Sequence, residues 1–220
     1  MIIQPHWPAP PMVRAGTTTT LTSAHDLPSH PFHLLKQVHG NIVADAALCG
    51  QGETFVGDGL YTHQPHTICH VRTGDCLPLL ICDRKGTQVA ALHAGWRGLL
   101  AGIIPSGLNT FTVLRESLLI WLGPAIGPQA FEVGDEVRDA FITQDPIHRA
   151  AFKPSFKSGP TGYWFADIYQ LARHQLIQQG ISPDAIYGGE YCTYTSGDLF
   201  YSYRRDKATE RMVSMIWLEP

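Results

Sequence analysis

The chain has 220 residues, 44% of them hydrophobic and 16% charged, with a formal net charge of −3, which is the composition of one globular domain with a core of its own. No run of Lys or Arg exceeds two residues, so the sequence lacks the basic field that would hold a phosphate polymer and nucleic acid is not an expected partner. The most apolar stretch, residues 89–104, is interrupted by His93 and Arg97 and is shorter than a membrane span. The opening MIIQPHWPAPPMVRAG is broken by prolines and does not read as a cleavable signal. Five dispersed cysteines (Cys49, Cys69, Cys76, Cys82 and Cys192) form no CxxC pair, which fits individual thiols in a reducing, cytoplasmic setting.

In chain order, residues 1–31 are rich in Pro, Thr and His and read as an irregular edge segment with a short strand near Met12–Ala15. Residues 32–46 read as two short strands around a turn at Gly40–Asn41, which leaves His39 at the turn. The bland reading of such a histidine is a surface position. Glycines crowd residues 50–59. Residues 67–72 then form a β-branched strand, and TGD makes a turn that puts Cys76 at the head of LPLLICD, a helical turn running into a strand. A buried, inert thiol is the bland reading of Cys76.

Residues 88–92 form a compact strand, and the HAGWRG segment turns from it into a helix at Leu99–Ile104 that Pro105 ends or kinks. Gly95 and Gly98 would let backbone approach a ligand closely, and Arg97 at a helix start opposes the dipole, so it is expected either to bind an anion or to stack on Trp96. Further on lie a strand at 117–122, the rigid turn GPAIGP and a helix from Asp135 with Val137, Ala140 and Phe141 inward. A loop at Lys153–Gly162 precedes a core-facing helix over 167–179 whose apolar face includes Phe165, Ile168, Leu171, Ala172 and Leu176 and which Gly180 stops. Strands at 186–192 and 212–218 close the chain, with Arg204 and Arg205 on the connection between them. Alternating strands and helices without an internal repeat predict a single α/β (α+β) domain, a layered sandwich of mixed sheet flanked by helices.

Cys76 and His93 stand at the ends of two strand-like segments that pairing would bring together. Two chemistries use such a pair: His93 as base to a Cys76 nucleophile, or both as metal ligands. Three protein ligands with a fourth position for water is the pattern of catalytic zinc, and His39 is the natural third ligand, with His70 and His25 ranked lower. Asp75 beside the cysteine is expected either to carry a proton or to cap the following turn. Arg97 with the Gly95–Gly98 turn is the candidate anion cradle. Arg204 and Arg205 either extend it or form a solvated pair on a loop.

The segments KQVHGNIV, TGDCLPLLICD, ALHAGWRGLLAGII, GPAIGPQAFEVGDEV, FADIYQLAR and LFYSYRRD…RM occur in this order and resemble the signature of the YfiH-like family, long labelled laccase domain or polyphenol oxidoreductase. The resemblance implies an α/β sandwich, zinc on His39, Cys76 and His93, phosphorolysis of adenosine, inosine, guanosine and methylthioadenosine, and deamination of adenosine. Within the same resemblance a cysteine amidase acting on cell-wall precursors would use Cys76 as nucleophile. A laccase would need copper bound by more histidines than this set offers. The chain departs from the family pattern where Thr20 replaces an arginine and where a segment of the type NLGxHVGD is missing. Gln129–Ala130 also stand where a cysteine pair is frequent. The metal ligands are therefore expected intact and the facing wall of the pocket reduced, which also admits a catalytically retired binding homologue.

Overall fold

The computed structural model describes residues 1–48, 54–159, 161–207 and 209–220. Cys49, part of the glycine-rich stretch 50–59 and one position of the expected 153–162 loop lie outside the described residues. Among the described residues fifteen strands run in chain order: β1 (Ile2–Ile3), β2 (Val13–Thr18), β3 (Leu34–Lys36), β4 (Val43–Asp45), β5 (Thr54–Val56), β6 (Gly59–Thr62), β7 (Cys69–Thr73), β8 (Leu77–Asp83), β9 (Val89–Ala94), β10 (Leu118–Leu122), β11 (Glu132–Gly134), β12 (Phe152–Pro154), β13 (Tyr163–Ala166), β14 (Ile186–Gly188) and β15 (Met212–Leu218). The α-helices are α1 (Trp96–Ala101), α2 (Ile103–Leu108), α3 (Asp135–Gln144), α4 (Ile168–Gln178) and α5 (Tyr203–Asp206).

A six-stranded mixed sheet in the order β14-β10-β8-β9-β6-β4 forms the centre. Every residue of β8, β9 and β10 is buried. That explains why LPLLICD and LLIWL read as unbroken apolar runs: both faces of the sheet are covered, so neither face calls for polar residues. Helices α1 and α2 pack on β9, and β7 and β15 of a four-stranded sheet, order β1-β2-β15-β7, pack on it as well. Leu79, Leu80 and Leu92 are fully excluded from solvent, each contributing about 2 kcal/mol through burial. The expected layered α/β sandwich is the architecture observed.

Several local expectations change. The segment after Cys76 contains no helical turn, because the register Leu77↔Ala94 to Cys82↔Val89 keeps it in the sheet from Leu77 onward. The helix after HAG begins at Trp96 and breaks at Gly102, whose φ of 88° is accessible to glycine without strain. Pro105 does neither of the things expected of it: it sits in the first turn of α2, where its missing N–H has no intrahelical partner to lose. The strand expected over 186–192 stops at Gly188, and Cys192 makes only an isolated bridge to Ala125. Phe165 belongs to β13 rather than to the face of α4.

The expected edge segment supplies an interior strand. β2 lies between β1 and β15, and Thr17 Oγ1 and Ser214 Oγ are 2.7 Å apart in the core. Helix α4 is the scaffold element foreseen, capped by Asp167, which accepts from the Gln170 N–H. Its Tyr169 hydroxyl accepts from the Ala125 N–H at 2.7 Å and donates to Tyr191 O at 2.8 Å, pinning the GPAIGP turn.

His70 is buried in β7 with its ring edge-on to Phe32. Burial pushes its pKa down to about 4, with the charges of His33 and Arg72 adding to the effect. The unfolded chain takes up that proton near pH 6.5 while the fold refuses it, so stability present above pH 6.5 is lost as pH falls toward 4. His70→Phe should flatten that loss by about 3 kcal/mol, read as the difference between urea midpoints at pH 7 and pH 4.5. Parallel profiles for the two proteins would contradict it.

Candidate functional site

The β8–β9 hairpin brings Cys76, one residue before β8, beside His93, the penultimate residue of β9. His39 arrives from the turn between β3 and β4 with φ of 60°. Its Nε2 lies 3.9 Å from Cys76 Sγ, and its ring centroid is 4.8 Å from that of His93. The ligand atoms of His39, Cys76 and His93 all lie within 4.8 Å of one another. Tetrahedral zinc with nitrogen and sulfur ligands separates such donors by about 3.5 Å, so small side-chain movements close the set. His93 is buried, Cys76 half-buried and His39 exposed, which leaves one side of the trio open to a cleft.

Asp58 organises this trio. Its carboxylate is fully buried and accepts from the backbone N–H groups of Val38 (3.2 Å), His39 (2.9 Å) and Gly40 (2.7 Å). His93 Nδ1 donates to the same carboxylate at 2.8 Å, which leaves Nε2 of His93 for the cysteine side. A carboxylate behind a ligand histidine fixes its ring and raises its basicity. Burial would raise the Asp58 pKa, and the His93 and Gly40 hydrogen bonds overcome it and hold the carboxyl below its ordinary value. Burial would likewise raise the Cys76 thiol, but His39 and His93 pull it down to about 6. His93 is disfavoured as a cation by burial, yet Asp58 and Cys76 lift it to about 9. Without metal the trio therefore carries thiolate and imidazolium character.

The donor set of one thiolate and two imidazoles fits zinc, with an open fourth side. Gly95 explains itself in this setting: a Cβ there would stand 2.8 Å from Cys76 Sγ and 3.2 Å from the His39 ring. Gly98 packs instead against backbone, where a Cβ would lie 3.2 Å from Gly40 O and 3.3 Å from His93 O.

The cleft above the trio has a volume of about 460 Å³, and Gln37, Arg72, Tyr203 and Arg211 line it together with His39, Cys76 and His93. Arg97 is outside this lining, exposed and stacked 4.2 Å over the Trp96 ring. Arg204 reaches Glu132 O at 2.9 Å, and Arg205 donates to the carbonyls of Thr193, Tyr194 and Phe200 and pairs with Asp206. Both arginines thus tie down the 190–206 segment. Asp75 has φ of 97°. Its carboxylate accepts from Thr193 Oγ1 at 2.7 Å and the Arg204 N–H at 2.6 Å, and its carbonyl accepts from the Ile126 N–H. It caps the start of α5 rather than the turn that follows it.

Of the lower-ranked ligands, His25 is exposed in the 3-10 turn Ala24–Asp26, and His70 borders a different cavity with Phe32 and Leu34. Sequence reasoning passed over Asp58, Gln37, Arg72, Tyr203 and Arg211. An aspartate set between two glycines ahead of a buried strand was the available signal for Asp58. Gln37 pairs with Arg72 as a strand would, its side-chain amide donating to Arg72 O and its carbonyl accepting from the Arg72 N–H.

Two substitutions probe this arrangement. Asp58→Asn should weaken metal binding about 10–100-fold and cost about 3 kcal/mol, because one face of the amide cannot accept from four donors. Gly95→Ala should displace the thiol and lower metal occupancy while thermal unfolding shows a retained fold. Metal content after dialysis and a melting curve check both, and wild-type occupancy in both variants would contradict the geometry.

The sequence pattern described as "Multi-copper polyphenol oxidoreductase laccase" matches residues 11–219. A Shigella flexneri protein named purine nucleoside phosphorylase YfiH is 49% identical over 201 residues, covering 90% of this chain and 78% of that one. The Pseudomonas aeruginosa purine nucleoside phosphorylase PA4543 is 40% identical over 245 residues, covering 99% and 98%. The crystal structure of Neisseria meningitidis NMB0706 superposes with a TM-score of 0.91 at 37% identity, covering 100% of this chain and 99% of that one. With the matched pattern spanning nearly its whole length and relatives of this similarity, the chain belongs to the laccase-domain family that includes the YfiH-named proteins.

Proposed function

We propose that this protein is a zinc-dependent purine nucleoside phosphorylase acting on adenosine, inosine, guanosine and methylthioadenosine, with adenosine deamination at the same site. The observation that carries the reading is the His39–Cys76–His93 donor set, backed by Asp58, at the base of a cleft that also holds two arginines and a tyrosine. The names of the Shigella flexneri and Pseudomonas aeruginosa relatives, both purine nucleoside phosphorylase, support it.

Phosphorolysis joins a phosphate oxygen to C1′ of the ribose as the bond from C1′ to the purine nitrogen breaks. The purine leaves with the proton that the attacking phosphate gives up, and the other product is ribose 1-phosphate, or methylthioribose 1-phosphate from methylthioadenosine. The chain's own groups divide this work. Arg72 and Arg211, which line the cleft where Arg97 does not, would balance the phosphate charge. Tyr203, itself under the Arg211 guanidinium at 5.6 Å, offers an aromatic face to a base. Gln37 and Asp75 act at one remove, the first fixing the wall that carries Arg72 and the second joining the Cys76 turn to the start of α5. Zinc held by His39, Cys76 and His93 would supply Lewis acidity beside the nucleoside and lower the pKa of a water it binds to about 7, the chemistry that zinc deaminases use. The protein would act as a small-molecule enzyme in the cytoplasm; no helix among the described residues is long and apolar enough to cross a membrane.

A cysteine amidase remains the second reading because the Cys76 thiol, drawn down to about 6 by His39 and His93, is activated as a nucleophile when no metal holds it. Multicopper oxidation is less well supported, since the cleft brings together two histidines and one thiol.

Zinc-loaded protein incubated with inosine should release hypoxanthine and ribose 1-phosphate in equal amounts, and only when phosphate is present. Adenosine without phosphate should yield inosine and ammonia. Cys76→Ser should lower both activities about 10³-fold. Zinc-loaded protein that produces no free base from any of the four nucleosides would overturn the phosphorylase reading. A metal-free protein whose Cys76 alkylates readily at pH 7 would favour the amidase.

A further inference from the structure

Away from the cleft, three distant parts of the chain converge on one carboxylate. His30 comes from the segment before β3, His66 from the turn between β6 and β7, and Glu219 follows β15. His30 Nε2 lies 3.3 Å from Glu219 Oε2, and His66 Nδ1 lies 3.6 Å from Glu219 Oε1. The two rings have centroids 4.9 Å apart, and one ligand atom from each of the three residues falls within 4.8 Å of the others. We propose that His30, His66 and Glu219 form a second metal site, a surface His₂–carboxylate set for a borderline divalent ion such as Zn²⁺ or Ni²⁺ that staples the end of β15 to the N-terminal segment.

Geometry and chemistry both favour an ion over a plain salt bridge. Ligands about 2.1 Å from a common metal lie about 3–3.5 Å from one another, close to the two nitrogen–oxygen separations seen. With both rings protonated, two adjacent imidazolium charges would share one carboxylate and repel; with neutral rings, each can offer it no more than one N–H. As a metal site the trio needs both rings neutral, and a single divalent ion satisfies all three groups. The carboxylate is already aimed: Trp217 Nε1 donates to Glu219 Oε2 at 2.6 Å, and the Glu219 N–H donates to Met12 O at 2.7 Å. That is the outer support that ligand carboxylates receive in metal sites. His66 is held too, its N–H donating to Leu218 O at 2.9 Å at a backbone φ of 62°. Side-chain exposures of 23%, 55% and 37% for His30, His66 and Glu219 leave room for water in the remaining positions. Nitrogen and oxygen donors alone make this site distinct in kind from the thiolate trio.

The test uses tag-free, metal-stripped protein titrated with Co²⁺ and separately with Zn²⁺. Cobalt in the cleft gives an intense thiolate charge-transfer band in the near ultraviolet, and cobalt on His30, His66 and Glu219 does not. Wild type should bind two equivalents, the second without added thiolate absorption, and the second equivalent of Zn²⁺ should raise the melting temperature by about 4 °C. His66→Asn, which tolerates the positive φ, and His30→Gln should each weaken the second equivalent at least about tenfold while the thiolate band persists, which also reports an intact fold. A wild-type protein that binds one equivalent, or variants that both keep the second at full affinity, would overturn the proposal.

Discussion

The site depends on one buried carboxylate. Four N–H groups, three from the backbone at Val38, His39 and Gly40 and one from the His93 ring, converge on Asp58. The first three fix the turn that carries His39, and the fourth fixes the ring at the end of β9. A fully buried charge is costly unless hydrogen bonds replace its hydration. Here those replacements are the same bonds that place two of the three ligands. Stability of the β3–β4 turn and assembly of the trio are therefore one quantity viewed from two sides, and the turn cannot loosen without releasing both histidines.

The third ligand is placed by the sheet. Register carries Cys76 opposite Gly95, one step past the Leu77↔Ala94 pair, and the absence of a side chain at Gly95 leaves the space that the sulfur and the His39 ring fill. On the other side Asp75 joins the Cys76 turn to Ile126, Thr193 and the start of α5. A non-glycine residue at φ of 97° is strained, and the three hydrogen bonds hold it there. The cleft thus sits where the central sheet, the four-stranded sheet and the 190–206 segment meet.

Much of this was legible in the sequence wherever periodicity or a turn residue carries the information. β15 matches its expected span, and α4 does so to within a residue at each end, because its buried positions recur at helical spacing and Gly180 ends it. The pairing of Cys76 with His93 was readable from two apolar runs joined by a short turn. The role of Asp58 was harder to read: its setting between two glycines was the one local signal, while three of its four partners are backbone amides about twenty residues away, which leave no trace in composition. Arg72 and Arg211 were hidden for a related reason: they lie on β7 and just before β15, strands far apart in sequence that come together through the antiparallel pairing from Met212↔Thr73 to Ile216↔Cys69. Arg97 drew attention by its neighbours in sequence, yet its contact is the adjacent Trp96 ring. Long-range strand order decides which cations face the cleft, and no local pattern encodes it.

If the Asp58-backed trio holds zinc, its donor set is one sulfur and two imidazole nitrogens. X-ray absorption at the zinc edge, on protein loaded with a single equivalent, measures that donor set directly. The expected spectrum has one sulfur at about 2.3 Å and two histidine nitrogens at about 2.0–2.1 Å, with one further light atom. A spectrum with no sulfur scatterer, or with two, would contradict it.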